Sequence, residues 1–207
     1  MLTPWNKDRI LVDPFCGSGT FPIEAAMMAA NMAPGMNRSF LSEDWKNIIK
    51  RKYWYEAMDE ANDLLDDTVK VDIQGYDIDG DIVKAARANA QSAGVDHMIH
   101  FQQRPVSALS HPKKYGFIIT NPPYGERLEE KEALPKLYKE FGDAFKNLDS
   151  WSAYMITSYE EAERYFGRKA DKNRKIYNGM LRTYFYQFQG PRPPRKTVRE
   201  QLSLIHI

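Results

Sequence analysis

Apolar and polar positions along this chain follow two rhythms that take turns almost from the first residues. Arg9 to Val12 (RILV) reads as a short buried strand, and Phe21 to Met32 as an Ala- and Met-rich helix with Pro22 in its tolerated first turn. Val71 to Tyr76 is a second strand, Asp81 to Ala93 a helix closed by Gly94, and Ile99 to Gln103 and Phe117 to Thr120 two further strands. Leu134 to Asn147 has helical periodicity, Ser152 to Thr157 reads as a strand, and Tyr159 to Phe166 as a short helix. Strands that alternate with helices predict an α/β domain, its mostly parallel sheet covered on both faces.

Two stretches interrupt that alternation. Residues 34–70 form a long insertion with helical character around Trp45 to Leu65 and an aromatic-basic cluster, Lys50-Arg51-Lys52-Tyr53-Trp54-Tyr55. The cluster suits RNA contact by charge and stacking, although packing of Trp54 and Tyr55 under a helix explains it as well. Near the end, Ile176 to Met180 followed by Arg182 to Gln189 reads as a hairpin, because Asn178-Gly179 supplies the positive φ values of a type I′ turn. The closing edge is therefore expected to be antiparallel.

Composition narrows the class. The chain has 207 residues, 43% of them hydrophobic and 28% charged, which suits one globular domain, and no apolar run approaches the ~18 to 20 residues that cross a bilayer. Cys16 is the single cysteine and the first residues carry no leader-like apolar stretch, so a cytoplasmic setting is expected. Net charge is only +1, but it is unevenly spread: between Arg164 and Arg199 lie 11 Lys and Arg against a single acid, Asp171. A segment so one-sided can attract a polyanion, although a solvated face explains it too.

Three motifs carry candidate chemistry. Asp13-Pro14-Phe15-Cys16-Gly17-Ser18-Gly19-Thr20 joins the first strand to the first helix, where glycines let a ligand approach and the helix N-terminus favours an anionic group. It lacks the Lys of a phosphate loop and the third glycine of a dinucleotide fingerprint. Asp77 and Asp79 sit at the end of the second strand, where an acid can hold ribose hydroxyls or cap the next helix. Asn121-Pro122-Pro123-Tyr124 follows the fourth strand. Its prolines remove two backbone donors, which leaves carbonyls and the Asn amide to accept hydrogen bonds from an amino group, beside a ring able to stack on a base. The histidines at 97, 100, 111 and 206 show no ligand spacing, so no metal is expected.

The constellation DPFCGSGT, GYDID and NPPYGERL, with RKIYNG and GPRPPR, resembles the class I methyltransferase domain of the THUMP-associated rRNA methylase family, similar to 23S rRNA guanine-N2 methyltransferases and often labelled N6-adenine-specific DNA methylases. The resemblance covers roughly residues 5 to 195. It implies a Rossmann-like, seven-stranded sheet with an antiparallel last strand and S-adenosylmethionine as cofactor. It further implies that Asp13, Phe15, Gly17, Gly19 and Thr20 hold the methionine part, Asp77 the ribose, and Ile78 the adenine. Asn121, Pro122 and Tyr124 become the catalytic clamp on the amino group, Asn121 also lying against the cofactor. Relatives tend to carry an acid after the third strand to meet the adenine amino group, yet from His97 to Gly125 this chain has none; Gln103 or Ser107 are the available substitutes.

Structured RNA is the expected partner, because too little chain follows Tyr124 to build a DNA target-recognition region, and the resemblance implies that this RNA is 23S rRNA. Arg168, Lys169, Lys172, Arg174 and Lys175 are its expected contacts. Arg127 in GERL suits either a phosphate contact or an ion pair with Glu126 or Glu129. Residues 1–200 are expected to form one methyltransferase domain cut from a longer enzyme, without the upstream THUMP domain that the resemblance implies, and 201–207 a tail of doubtful origin to which no function is assigned. The alternatives to guanine-N2 transfer are an adenine-N6 enzyme acting on DNA or RNA and an idle cofactor- and RNA-binding fragment.

Overall fold

The computed structural model describes residues 2–36, 38–125 and 128–194; Glu126, Arg127 and the tail from 195 onward lie outside the described residues, and with them the expected role of Arg127. Strands β1 (Leu11–Asp13), β2 (Ile73–Asp77), β3 (Ile99–Gln103), β4 (Phe117–Thr120), β5 (Ser152–Thr157), β6 (Lys172–Asn178) and β7 (Leu181–Phe188) form one sheet in the order β3-β2-β1-β4-β5-β7-β6. The first five pair in parallel, and β7 runs antiparallel between β5 and β6. The order reverses beside β1, so the carboxyl ends of β1 and β4 open a crevice there, the place where open α/β sheets take their ligands.

Helices α1 (Thr20–Ala29) and α3 (Gly80–Ser92) cover one face, and α4 (Leu128–Lys146) and α5 (Ala162–Phe166) the other. Successive strand residues point to opposite faces. Phe117 and Tyr154 accordingly pack with Ala26 and Ala86, while Ile118, Ala153 and Met155 pack with Tyr138, Phe141 and Phe166. Both faces being covered explains why these strands read as continuous apolar runs.

Several boundaries depart from the sequence reading. Helix α4 starts at Leu128 and runs through Pro135, although a proline without an N–H is expected near a helix start. Strand β6 begins at Lys172, within a charged stretch whose pattern shows no strand; residues 172–175 of this edge strand keep their side chains in solvent, Ile176 packs against the core, and the strand pairs on one side alone. Its turn is Gly179-Met180 instead of Asn178-Gly179, since Asn178 still pairs with Leu181 and Gly179 takes φ +62. In the insertion, α2 (Arg51–Asp63) buries no residue: Trp54 stacks on Phe40 with ring centroids 5.9 Å apart, whereas Tyr55 is 60% exposed. Adjacent helical residues do not share a face, so the expected joint packing of Trp54 and Tyr55 does not occur.

Candidate active site

A cavity of about 520 Å³ opens at the carboxyl ends of the central strands. Phe15 and Gly17 after β1, Asp77 at the end of β2 with Ile78 after it, Arg104 to Val106 after β3, and Asn121 to Gly125 after β4 wall it, and α4 closes it with Leu137 and Glu140. Four strand ends thus bring together motifs that the sequence places more than a hundred residues apart.

Most of the expected residues meet here, and three do not line the cavity. A Cβ at Gly17 would meet nothing within 4 Å, so the loop faces open space at that point. Gly19 caps α1 with φ +91, and a Cβ there would come within 3.1 Å of Phe101 and 3.3 Å of Ala86. Its glycine is required by close packing and a left-handed backbone, and Gly19 and Thr20 do not line the cavity. Asp13 is buried beneath the loop, where its Oδ1 accepts hydrogen bonds from the Thr120 hydroxyl at 2.6 Å and the Phe15 amide at 3.1 Å. Burial pushes its carboxyl up to about 7 against the pull of those two bonds. Asp13 therefore ties the β1 loop to the end of β4, immediately before Asn121.

Asp77 is bound in a similar way on the cavity side. Its Oδ2 accepts from the Gly17 amide at 3.1 Å and its Oδ1 from the Asp79 amide at 3.0 Å, while Asp79 caps α3 through the Asp81 amide. The carboxylate of Asp77 thus faces the cavity with its orientation fixed by the loop it serves, and each oxygen keeps further lone pairs for a hydroxyl. Ile78, 72% exposed, projects at the rim as an uncovered apolar wall. Cys16 is buried and its thiol is pushed up by burial and by the nearby Asp13 and Asp77 carboxylates, which leaves it a packing residue.

The Asn121-Pro122-Pro123-Tyr124 turn is braced at both ends. Thr120 bonds to Asp13 on one side; on the other the buried Tyr138 hydroxyl donates to the Pro123 carbonyl at 3.0 Å. That hydroxyl also lies 2.6 Å from Thr157 Oγ1, which accepts the Tyr159 amide at 3.1 Å. With Tyr138 donating to Pro123, Thr157 must donate to Tyr138, and one directional chain runs from the end of β5 to the turn. Tyr138 belongs to the apolar stripe of α4 with Leu134, Phe141 and Phe145, so helical periodicity marks it as core, while its hydroxyl partners come from distant chain.

Neither expected substitute for an acid after β3 reaches the cavity. Gln103 gives its amide to the Ile78 carbonyl at 2.9 Å and packs on Gly80, and Ser107 is not among the lining residues. Arg104, Pro105 and Val106 take that wall instead, the Arg104 amide donating to the Asp77 carbonyl at 2.7 Å. Together with Leu137 and Glu140 these are residues that the sequence motifs did not single out.

A second hollow of about 650 Å³ adjoins the first and shares Tyr124 and Gly125 with it; Lys131, Leu134, Pro135, Ser158, Tyr159, Glu160, Glu161 and Leu181 complete it. The expected RNA contacts lie away from both. Arg168 bonds to Asp171 at 3.0 Å and to the Gln189 carbonyl at 2.9 Å, beside the rings of Phe145 and Phe188. Lys169, Lys172, Arg174 and Lys175 are exposed, but strand alternation turns Lys172 and Arg174 to one face of β6 and Lys175 to the other, so the five do not form one patch. Among the described residues no three His, Cys, Asp or Glu side chains gather as a metal-ligand set, and no helix is long and apolar enough to cross a membrane.

Known proteins share this arrangement. The crystal structure of "SMU.472, a putative methyltransferase complexed with SAH" superimposes with a TM-score of 0.88 at 42% identity, over 93% of this chain and 51% of that one. The chain is 47% identical over 196 residues to "Putative RNA methyltransferase YpsC" of Bacillus subtilis, covering 94% of this chain and 51% of the relative. It is 42% identical over 191 residues to ribosomal RNA large subunit methyltransferase K/L of Shewanella woodyi, covering 89% of this chain and 27% of that protein. The chain thus spans about half the length of the first relative and about a quarter of the second. With the RMKL-like methyltransferase domain model (UPF0020) matching residues 1–187, over a class I sheet and a crevice built from the three motifs, the chain belongs to that family of methyltransferase domains.

Proposed function

We propose that the protein is an S-adenosylmethionine-dependent RNA methyltransferase that methylates the exocyclic N2 amino group of a guanine in 23S rRNA. The observation that carries this reading is the position of the Asn121-Pro122-Pro123-Tyr124 turn between two cavities that share Tyr124 and Gly125. The first fits the cofactor: open space at Gly17 for its amino-acid part, the Asp77 carboxylate for ribose hydroxyls, and an apolar slot of Ile78, Val106 and Leu137 for a flat base. The SAH complex of a 42% identical neighbour supports the same choice. Bound there, S-adenosylmethionine supplies a methyl group already activated on a sulfonium.

The chain's own task is to make an amino nitrogen nucleophilic and hold it in line. An exocyclic amino lone pair is delocalised into its ring. When the Asn121 side-chain oxygen and the Pro122 carbonyl accept its two N–H bonds, the nitrogen turns tetrahedral and its lone pair points across the turn to the cofactor cavity. Positioning of this kind is worth ~7 to 11 kcal/mol in well-oriented pairs. Tyr124 recovers ~1 to 3 kcal/mol by stacking on the base drawn from its helix.

Guanine is favoured over adenine by the second hollow. Glu160 and Glu161 place acceptors among its walls, paired with Arg182 and Arg164 but with lone pairs to spare. With its N2 amino group held by the clamp, guanine still presents the N1–H donor to these carboxylates, whereas adenine held by its N6 amino group presents a bare N1. The rRNA and RNA methyltransferase names of the relatives agree with an RNA substrate. The test is transfer of labelled methyl from S-adenosylmethionine to unmodified 23S rRNA, followed by digestion to nucleosides. N2-methylguanosine is expected; N6-methyladenosine overturns the base assignment, and cofactor binding without transfer assigns the chain a binding role alone.

A further inference from the structure

One carboxylate of the first cavity has no part in the chemistry above. Glu140 lines it from α4, one turn after Leu137 and on the same side of the helix, and α4 packs against the short helix Val106–Ala108 that follows β3. Glu140 therefore stands beside the apolar slot of Ile78, Val106 and Leu137, at the purine end of a cofactor whose ribose lies at Asp77. Among the described residues its one ion-pair neighbour is Lys136, whose Nζ is 3.8 Å away at the solvent surface with 83% of the side chain exposed, a weak attachment that leaves the carboxylate available.

A 6-aminopurine in that slot presents N–H bonds that need an acceptor, or it forfeits the hydrogen bonds that water gave it. The wall after β3 offers no acid, and Gln103 is spent on the Ile78 carbonyl. Among the lining residues only Asp77 and Glu140 carry carboxylates, and Asp77 is held by the Gly17 and Asp79 amides at the ribose position. We infer that Glu140 accepts a hydrogen bond from the 6-amino group of the cofactor's adenine and thereby sets the preference for an amino- over a 6-oxopurine; this rests on the S-adenosylmethionine reading above. The acid enters from the helix that covers the crevice instead of from the strand end.

The preference is read directly by calorimetric titration of the protein with S-adenosyl-L-homocysteine and with S-inosyl-L-homocysteine, which replaces the amino group by a carbonyl oxygen that a carboxylate repels. The wild type is expected to favour the adenosyl ligand. In Glu140→Gln, whose amide can donate to the carbonyl, the ratio of the two dissociation constants narrows about tenfold, or ~1.4 kcal/mol. Glu140→Ala narrows it by weakening the adenosyl ligand and relieving the repulsion on the inosyl one, and Lys136→Met leaves it unchanged. A general loss of packing would weaken both ligands alike without moving the ratio. An unchanged ratio in Glu140→Gln and Glu140→Ala, with both still binding S-adenosyl-L-homocysteine, overturns the assignment, whereas a wild type that binds neither ligand overturns the cofactor reading beneath it.

Discussion

Asp13 and Asn121 sit at the ends of adjacent strands and illustrate two different uses of a polar side chain. Asn121 is exposed and lines the first cavity, and its replacement by Ala removes an acceptor without touching the ribose or adenine walls. Asn121→Ala is therefore expected to abolish methyl transfer while cofactor affinity changes by less than about threefold, below ~0.7 kcal/mol; retained transfer in a single-turnover assay would remove the amino clamp from the mechanism. Asp13 is buried, with a carboxyl pushed up to about 7 by desolvation. The folded protein then binds this proton more tightly than the unfolded chain, where such a group titrates near ~3.9. Stability from this group is intact below that value, declines as pH rises, and levels off above about 7. Because Oδ1 accepts both bonds from Thr120 and Phe15, an Asn carbonyl oxygen can replace it. Asp13→Asn should flatten the fall in melting temperature between pH 5 and 8; an undiminished slope would place its origin elsewhere. The motif made Asp13 legible as a site residue, but its burial under the loop, away from the cavity wall, depends on contacts with Thr120 across the sheet.

Among the elements, α4 does most to shape the site. Its period is plain in the sequence, yet two of its contributions depend on where the helix lies. Tyr138 reaches the Pro123 carbonyl and Thr157, and Glu140 reaches the cavity, because α4 crosses over the ends of β4 and β5. Tyr138→Phe keeps the packed ring and deletes the hydroxyl. It leaves the Pro123 carbonyl and the Thr157 hydroxyl short of a partner, at a cost of ~1 to 3 kcal/mol of stability. We expect kcat to fall more than cofactor affinity in this variant, since the turn loosens while the cofactor's walls remain. Equal losses in the two would indicate a general disturbance of the crevice, and a Thr157→Val double-mutant cycle measures the coupling along the chain of hydroxyls. The first half of the β6 edge was illegible for the opposite reason: residues 172–175 are mostly charged and exposed, and what holds them in the sheet is pairing with β7, an interaction made through backbone and invisible to hydropathy.

Over the whole molecule, charge is segregated where the average of +1 conceals it. The excess of Lys and Arg falls partly on the β6 edge, which is one way of keeping an unpaired strand from joining another sheet and also an attractive surface for phosphate. Lys172 and Arg174 share a face, with Lys175 opposite. If RNA lies along this edge, Lys172→Gln with Arg174→Gln should lower the slope of log affinity against log salt by about one to two, at ~0.7 to 0.9 for each phosphate no longer neutralised. Fluorescence anisotropy with an rRNA fragment between 50 and 200 mM salt measures it, and an unchanged slope in the variant that also carries Lys175→Gln moves the RNA surface away from the edge. The sequence by itself determined the alternating α/β order, the antiparallel close and the three motifs at strand ends, because periodicity, prolines and glycines act within a few residues of chain. Only the tertiary structure decided which motif residues face the cavity, that Gly19 and Asp13 serve packing behind it, and that Tyr138 and Glu140 join the site from α4. Those outcomes rest on packing across strands and helices far apart in the chain, for which no local pattern carries a signal.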